Sequence, residues 1–249
     1  MNARALSIAT IATLAAACSS LAFADSPSKN DGPSPYPSTA QEWPGRGVIR
    51  VFDWMSQNRE HFWRERSKKQ NSIVFAGDSL TAQWPHLNAE FPSVTVANRG
   101  IGGDVSRGLL FRFEEDVLAL EPKAVVILIG TNDLTARQKA SDSLANVEAM
   151  IAVHQSRSKA PIILCTVPPS AHRQAPVDEQ QLKILNAGLR AIAERSEHID
   201  LVDLFIATAT ADGEPDPRLF KPDRLHLNAE GYARWKAALQ PVLHEHGML

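Results

Sequence analysis

The sequence predicts an α/β protein with a parallel sheet that is covered by helices on both faces. Five short apolar runs have the length and composition of buried strands, and they lie at 73–76, 94–97, 124–129, 161–167 and 199–202. Segments with apolar residues at helical spacing alternate with these runs. Strands that are apolar on every residue are typical of a parallel sheet packed between two helical layers.

The connecting segments predict four amphipathic helices, because their apolar residues recur at intervals of three and four. In chain order, these faces are formed by Leu109, Leu110, Phe113, Val117 and Leu120; by Leu144, Val147 and Ile151; by Leu182, Leu185, Leu189 and Ile192; and by Tyr232, Trp235, Leu239 and Val242 or Leu243. A similar pattern precedes the first strand and predicts a further helix over 48–69 that packs on the domain.

Length and composition predict one globular domain, over 48–249, and exclude several classes of partner. A chain of 249 residues with 44% hydrophobic and 22% charged residues can bury one large core. The formal net charge of -2 gives no reason to expect nucleic acid as a partner. After residue 24 no apolar run approaches the ~20 residues that a bilayer-spanning helix needs, so no integral membrane segment is expected in the mature chain. The oligomeric state is left open.

The first 24 residues have the features of a secretory signal peptide. Arg4 is the basic residue, an Ala-rich uncharged stretch extends from Ala5 to Leu21, and Ala22-Phe23-Ala24 matches an A-x-A cleavage site. An alternative is a lipoprotein processing site ending at Cys18, which would then be acylated. The residue three before such a cysteine is usually larger than alanine, which favours cleavage after Ala24. Both alternatives predict an exported protein, periplasmic or secreted.

Residues 25–47 contain five prolines among Ser, Gly and Asp, which predicts a flexible or extended leader. Cleavage after Ala24 would leave Cys165 as the only cysteine. It lies within the apolar run of the fourth strand, which predicts a buried and unreactive thiol.

Four short motifs follow apolar runs and carry the candidate catalytic and hydrogen-bonding residues. They are Gly77-Asp78-Ser79-Leu80, Asn98 to Asp104, Gly130-Thr131-Asn132-Asp133 and Asp223-Arg224-Leu225-His226. Motifs of this kind at the carboxyl ends of parallel strands meet at one edge of the sheet, where open α/β proteins build their sites.

Ser79 and His226 are the candidate nucleophile and base. A neutral imidazole accepts the serine proton only if its other nitrogen is held as a donor, and Asp223, three residues before His226, can do this. The alternatives are that Ser79 or Asp78 caps a helix and that Asp223 and His226 form an ordinary surface pair. His244 and His246 show metal-like spacing, but no third ligand accompanies them, so no metal site is predicted.

Acyl transfer also needs hydrogen-bond donors that face the tetrahedral oxyanion. The glycines of the second motif, Gly100, Gly102 and Gly103, leave the backbone free to turn an N–H toward Ser79, and Asn132 offers a side-chain amide. A tight turn and a strand-end Asn cap are the alternative interpretations.

The four motifs together resemble those of the SGNH (GDSL) hydrolase superfamily, from about Ile73 to Leu243. The Asn98–Asp104 and Gly130–Asp133 motifs and Arg112 are most similar to the platelet-activating-factor acetylhydrolase-like branch. The resemblance implies a three-layer α/β/α sandwich around a five-stranded parallel sheet of flavodoxin-like order, 2-1-3-4-5. The leader and the 48–69 helix are not part of this shared core.

The resemblance also implies the roles of the site residues. Ser79 is then the nucleophile, His226 the base and Asp223 the group that orients His226. The oxyanion hole is formed by the N–H groups of Ser79 and Gly103 and by the side-chain amide of Asn132. A two-step acyl transfer of this kind needs no metal or organic cofactor.

The expected function is that of an exported serine esterase acting on short acyl esters, in particular acetyl esters of carbohydrates. The substrate would be a small-molecule or glycan ester. A lysophospholipase or other lipid acylhydrolase is the alternative, as are an acetyl transferase with the same triad and a binding module on an inactive hydrolase fold. An intact set of Ser79, Asp223 and His226 argues against the binding module.

Overall fold

A computed structural model describes residues 32–249. The predictions on the signal peptide at 1–24, on acylation of Cys18 and on the first part of the leader lie outside the described residues.

The five predicted strands form one parallel sheet. They are β1 (Ile73–Gly77), β2 (Val96–Gly100), β3 (Ala124–Leu128), β4 (Ile162–Cys165) and β5 (Ile199–Val202). Their order across the sheet is β2-β1-β3-β4-β5, and every neighbouring pair is parallel. The flavodoxin-like order that the motifs implied is therefore confirmed.

Helices connect the strands and cover both faces of the sheet. In chain order they are α1 (Asp53–Glu65), α2 (Ser79–Ala82), α3 (Leu87–Glu90), α4 (Ser106–Asp116), α5 (Thr131–Thr135), α6 (Ala140–Arg157), α7 (Glu179–Glu194), α8 (Leu204–Thr208) and α9 (Ala229–Glu245). Within the described part of the chain, no helix is long and apolar enough to cross a membrane.

Alternate residues of each strand belong to two different hydrophobic cores. In β1, Val74 and Ala76 pack with the layer formed by α4, α6 and α7. Ile73 and Phe75 pack with the opposite layer, in which the aromatic residues of α9 are buried. The three inner strands, β1, β3 and β4, are therefore buried on both faces, which explains why they contain no polar side chain.

β2 begins two residues later and ends three residues later than the predicted strand at 94–97. It contains the polar residues Asn98 and Arg99, which an apolar pattern cannot include. Both have partners in the fold: the Asn98 side chain donates to the Thr81 carbonyl at 2.8 Å, and Arg99 Nε donates to the Asp116 carbonyl at 3.1 Å. The Arg99 guanidinium also lies over the Phe62 ring.

The helix predicted over 48–69 is shorter in the structure. α1 begins at Asp53, and a 3₁₀ turn covers Arg66–Lys69. Residues 48–52 are not helical. The backbone N–H of Val48 donates instead to the Gln138 side chain at 2.6 Å, and Phe52 has an extended backbone.

The described part of the leader, residues 32–47, contains no helix or strand, but its backbone is bound to the domain. The Arg107 guanidinium donates to the carbonyls of Pro44 and Gly47 at 2.8 and 2.9 Å, and to those of Ala40 and Trp43 at 3.1 Å. The composition of the leader does not predict these four contacts, because they all come from the side chain of Arg107, which lies in α4 and not in the leader.

The carboxyl ends of the three strands at the β2 side meet at one edge. Gly77 at the end of β1 pairs with Gly100 of β2 and with Leu128 of β3. The loops that follow these strands therefore lie side by side, and they carry the first three motifs.

Candidate active site

The Ser79 hydroxyl lies at the start of α2, immediately after β1. The N-cap of this helix is Asp78, whose carboxylate accepts the Leu80 N–H at 2.9 Å. The Tyr232 hydroxyl donates to the Leu80 carbonyl at 2.9 Å and supports the turn from the far side. Capping is thus performed by Asp78, and the hydroxyl of Ser79 is left for another partner.

That partner is His226. The Ser79 Oγ and His226 Nε2 atoms are 3.0 Å apart, although 147 residues separate them in the sequence. The other ring nitrogen, Nδ1, lies 2.7 Å from Asp223 Oδ2. A neutral imidazole that donates its Nδ1 proton to Asp223 presents Nε2 as an acceptor to the serine hydroxyl.

Asp223 is held as a carboxylate by a dense set of donors. Its Oδ1 accepts the backbone N–H groups of Leu225 and His226, each at 3.0 Å. Partial burial acts to raise the pKa of Asp223, but hydrogen bonds from the His226 ring and these two N–H groups lower it to about 2. The loop that carries both residues is closed by the Lys221 N–H, which donates to the His226 carbonyl at 2.7 Å.

The second motif forms a tight turn against the nucleophile. The Asp104 N–H donates to the Ile101 carbonyl at 3.1 Å, and Gly103 has a φ of +85°, which favours glycine. A side chain at Gly100 would collide with the backbone of α2, because its Cβ would lie 2.3 Å from the Ala82 nitrogen. A Cβ at Gly102 would lie 3.9 Å from the Ser79 Cβ. The turn that carries the Gly103 N–H therefore lies beside Ser79.

Asn132 contacts the same turn from the β3 side. Its Nδ2 donates to the Asp104 carbonyl at 3.0 Å and lies 3.4 Å from Asp78 Oδ2. The N-cap of α5 is Gly130, and no side chain caps this helix. The alternative interpretation of Asn132 as a strand-end cap is therefore not what the structure shows, since its amide reaches across to another loop.

Buried acids support the loops of the site without facing the nucleophile. Asp104 forms an ion pair with Arg112, in which Nε and Oδ2 are 2.8 Å apart. Burial raises the pKa of Asp104 to about 6, although Arg112 acts to lower it, and burial raises the pKa of Asp78 to about 7. Asp133, the last residue of the third motif, accepts the Ser106 N–H at 2.9 Å, and burial raises its pKa.

The sequence reasoning missed two residues that contact the predicted oxyanion hole. Arg50 Nη1 donates to Asn132 Oδ1 at 3.2 Å, and Trp54 Nε1 donates to the Gly102 carbonyl at 2.9 Å. Both lie before the first motif, in a segment outside the shared core, and no local pattern in the sequence marks them.

The other candidate residues form no hydrogen bond with Ser79, His226 or Asp223. Cys165 is buried in β4, and burial raises its pKa to about 12, so its thiol is not a nucleophile at neutral pH. His246 pairs with Asp200 at 2.7 Å. Within residues 32–249, no group of three or more His, Cys, Asp or Glu side chains is arranged to hold a metal ion.

Comparison with known proteins identifies the family of the chain. The sequence profile of the GDSL-like Lipase/Acylhydrolase family matches residues 71–234. The alpha2 subunit of platelet-activating factor acetylhydrolase IB from Homo sapiens is 28% identical over 187 residues, which cover 73% of this chain and 79% of the relative. The alpha1 subunit from Pongo abelii is 28% identical over 227 residues, which cover 87% and 91%.

Solved structures show the same fold. The crystal structure of a GDSL-like lipase from Bacteroides thetaiotaomicron superposes with a TM-score of 0.67 at 27% sequence identity, and the match covers 74% of this chain and 96% of that one. The family match spans the strands and motifs from β1 to α9. The chain therefore belongs to the GDSL-like lipase/acylhydrolase (SGNH) family and is a carboxylic ester hydrolase, distantly related to the alpha subunits of platelet-activating factor acetylhydrolase IB.

Proposed function

We propose that Ser79, His226 and Asp223 are the catalytic triad of this esterase. The observation that carries the proposal is the continuous chain of hydrogen bonds from Asp223 Oδ2 through the His226 ring to Ser79 Oγ, with lengths of 2.7 and 3.0 Å. Both distances lie within the range in which a base can take the proton of the nucleophile.

The reaction then proceeds in two balanced steps. His226 Nε2 takes the hydroxyl proton while Ser79 Oγ bonds to the ester carbonyl carbon, and the bond to the alcohol oxygen breaks as that oxygen receives the proton from His226. In the second step His226 takes a proton from water, the water oxygen bonds to the acyl carbon, and Ser79 leaves with its proton restored. The carboxylic acid is the second product.

The negative charge that develops on the carbonyl oxygen is met by three donors. We assign the N–H groups of Ser79 and Gly103 and the Nδ2 of Asn132 to this role, because the turn and the amide lie on the two loops that flank the nucleophile. Fixed donors of this kind stabilise the transition state more than the substrate.

We infer that the acyl group is short, in particular acetyl. The two relatives described above are named acetylhydrolases, which supports removal of an acetyl group. For the alcohol part of the ester we propose a carbohydrate. Phe52 and Trp54 support this proposal: their rings stack at 4.4 Å, they are 36% and 48% exposed, and they contact the Gly102–Gly103 turn. Exposed aromatic faces beside a site are suited to the apolar face of a sugar ring.

A substrate series tests this proposal. Purified protein is assayed on p-nitrophenyl esters from acetate to decanoate and then on acetylated xylan, with release of acetate as the readout and Ser79→Ala as the control. We expect the highest kcat/KM on acetate and release of acetate from the glycan. Higher activity on decanoate than on acetate would favour a lipid acylhydrolase, and hydrolysis that persists in Ser79→Ala would refute the triad. Acetyl transfer that exceeds hydrolysis when an acceptor glycan is added would identify a transferase.

We also propose that the protein is exported, on the basis of the basic, apolar and A-x-A regions of residues 1–24. Intact mass of the protein from its native host tests this directly. A mature chain that begins at Asp25 supports the proposal. A diacylglyceryl mass on Cys18 would mean a lipoprotein, and an uncleaved chain would refute export by this signal.

A further inference from the structure

The segment that directly precedes and begins α1, residues 50–54, contacts both loops of the oxyanion hole. It lies outside the region matched by the family profile, which begins at residue 71. Arg50 reaches the loop after β3 and Trp54 reaches the turn after β2. Each of the two side chains donates a hydrogen bond to the oxygen of an amide group. The nitrogen of that same amide group is one of the assigned oxyanion donors.

The first of these amides is the side chain of Asn132. Its Oδ1 accepts from the half-buried Arg50 guanidinium at 3.2 Å, and its Nδ2 donates one hydrogen to the Asp104 carbonyl at 3.0 Å. These two contacts define which end of the amide is oxygen and which is nitrogen. The second Nδ2 hydrogen has only a long contact, 3.4 Å from Asp78 Oδ2, and it is the hydrogen that we assign to the substrate oxyanion. A cation on Oδ1 also polarises the amide, which makes its N–H a stronger donor.

The second amide is the peptide between Gly102 and Gly103. The carbonyl of Gly102 and the N–H of Gly103 belong to one planar unit and point in opposite directions. The Trp54 indole N–H donates to that carbonyl at 2.9 Å, so it fixes the direction of the Gly103 N–H on the other side. The Phe52 ring lies against the same glycine, since a Cβ at Gly103 would be 2.9 Å from Phe52 Cε2.

We propose that Arg50 and Trp54 are positioning residues that hold and polarise two of the three oxyanion donors through the carbonyl oxygens of the amides that carry them. Segment 50–54 is then part of the active site, although it does not contact the reacting atoms. This proposal rests on the proposed function, because it assumes that Asn132 and Gly103 stabilise the oxyanion.

Single variants test the proposal through kcat and KM on p-nitrophenyl acetate. Arg50→Ala should lower kcat by about tenfold with little change in KM, since one hydrogen bond from a charged group is lost. Arg50→Lys, which keeps a charged donor, should recover part of the rate. Trp54→Phe removes the N–H but keeps a ring beside Phe52, and it should lower kcat by about three- to tenfold.

Matched controls come from the same helix. Arg64 is an exposed arginine of α1, and Trp63 is a half-buried tryptophan of α1 that stacks with Arg66. Arg64→Ala and Trp63→Phe should leave kcat at the wild-type value. Melting temperatures of all variants separate an effect on catalysis from an effect on folding.

A double-mutant cycle separates positioning from a general structural effect. In an Asn132→Ala background, Arg50→Ala should cause no further loss of kcat, because it acts through the missing amide. Trp54→Phe should keep its effect in that background, because it acts through Gly103. Equal losses from Arg50→Ala in both backgrounds, or losses confined to KM, would overturn the proposal.

The same cycle distinguishes this proposal from the proposed function. If Asn132→Ala lowers kcat but Arg50→Ala, Arg50→Lys and Trp54→Phe do not, the positioning proposal is wrong while the oxyanion assignment stands. If Asn132→Ala leaves kcat unchanged while Ser79→Ala abolishes activity, both the oxyanion assignment and the positioning by Arg50 are wrong.

Discussion

Replacement of Asn132 by alanine measures the contribution of the oxyanion hole most directly. The variant removes one donor to the developing oxyanion and leaves the triad distances unchanged, because Asn132 contacts neither His226 nor Asp223. Loss of one such donor typically lowers kcat by about 10²- to 10³-fold, or ~3–4 kcal/mol of transition-state stabilisation. The donor acts only after charge has developed, so KM should change little.

The cost in stability is smaller and follows from the contacts. The side chain is half-buried and makes two clear hydrogen bonds, at 3.2 Å with Arg50 and at 3.0 Å with the Asp104 carbonyl. At about 0.5–1.5 kcal/mol each, their loss should lower the free energy of unfolding by roughly 1–3 kcal/mol. In a domain of this size this corresponds to a decrease of roughly 2–12 °C in the melting temperature.

The assay compares kcat on p-nitrophenyl acetate with the melting temperature of the same preparation. Asn146→Ala is the matched control. The side chain of this α6 asparagine accepts the Arg46 N–H and donates to the Ser106 hydroxyl, each at 2.8 Å, and it lies away from the nucleophile. It should lose stability and keep its kcat. A destabilised Asn132→Ala protein with near-normal kcat would refute the oxyanion role.

Four further outcomes are expected. Ser79→Ala and His226→Ala should each lower kcat by about 10⁴- to 10⁶-fold. The double variant should be no slower than the worse single variant, because the two residues act as one unit. A kcat of the double variant that shows the product of the two single losses would contradict this. Asp223→Asn should lose less than Ser79→Ala in the same assay, since the loop backbone still holds His226 near Ser79, and a loss equal to that of Ser79→Ala would show that Asp223 is indispensable. Because burial raises the pKa of Asp78 from 3.8 to about 7, the folded protein keeps a proton that the unfolded chain releases, so the free energy of unfolding should fall as pH rises from about 4 to about 7. The contribution of Asp78 to this slope is at most ~1.4 kcal/mol per pH unit. Urea unfolding should show that the free energy of unfolding of Asp78→Asn depends less steeply on pH than that of the wild-type protein. The same slope in both proteins would mean that Asp78 does not titrate in this range. Finally, Arg107→Ala should loosen the leader backbone around Ala40, Trp43 and Pro44 and raise its sensitivity to limited proteolysis relative to wild-type protein. Resistance equal to that of wild-type protein would show that the remaining contacts, such as Arg46 with Asn146, are sufficient to hold it.

The sheet could be predicted well from the sequence because each buried strand is marked by a short apolar run of its own. The inner strands β1, β3 and β4 are buried on both faces, so the apolar pattern of each of these runs is enough to identify it. The edge strands differ. In β2 the half-buried Asn98 and the buried Arg99 have partners in α2 and α4, and in β5 the half-buried Asp200 pairs with His246. Those partners are distant in the sequence, and a local pattern cannot show that a polar residue will find one.

The candidate site was predictable for a similar reason. Ser79 follows β1 directly, the Gly102–Gly103 turn follows β2, and Asn132 follows β3, so the parallel topology itself brings them to one edge. Only His226 and Asp223 come from a loop far from these strands. The position of Arg50 was not predictable, since its contact with Asn132 spans 82 residues and depends on where segment 50–54 crosses the domain.

Arg112 shows how the motif residues that do not face the substrate still determine the site. Its buried guanidinium donates to the carbonyls of Arg99 and Gly77, at 2.9 and 3.1 Å, and pairs with the Asp104 carboxylate at 2.8 Å. One side chain thus binds the end of β1, the end of β2 and the turn that carries the Gly103 N–H. A buried ion pair is weak evidence for added stability, because desolvation of both charges opposes their attraction. What the Asp104–Arg112 pair does provide is fixed geometry, since the Asp104 carbonyl that it holds in place is the acceptor that orients Asn132.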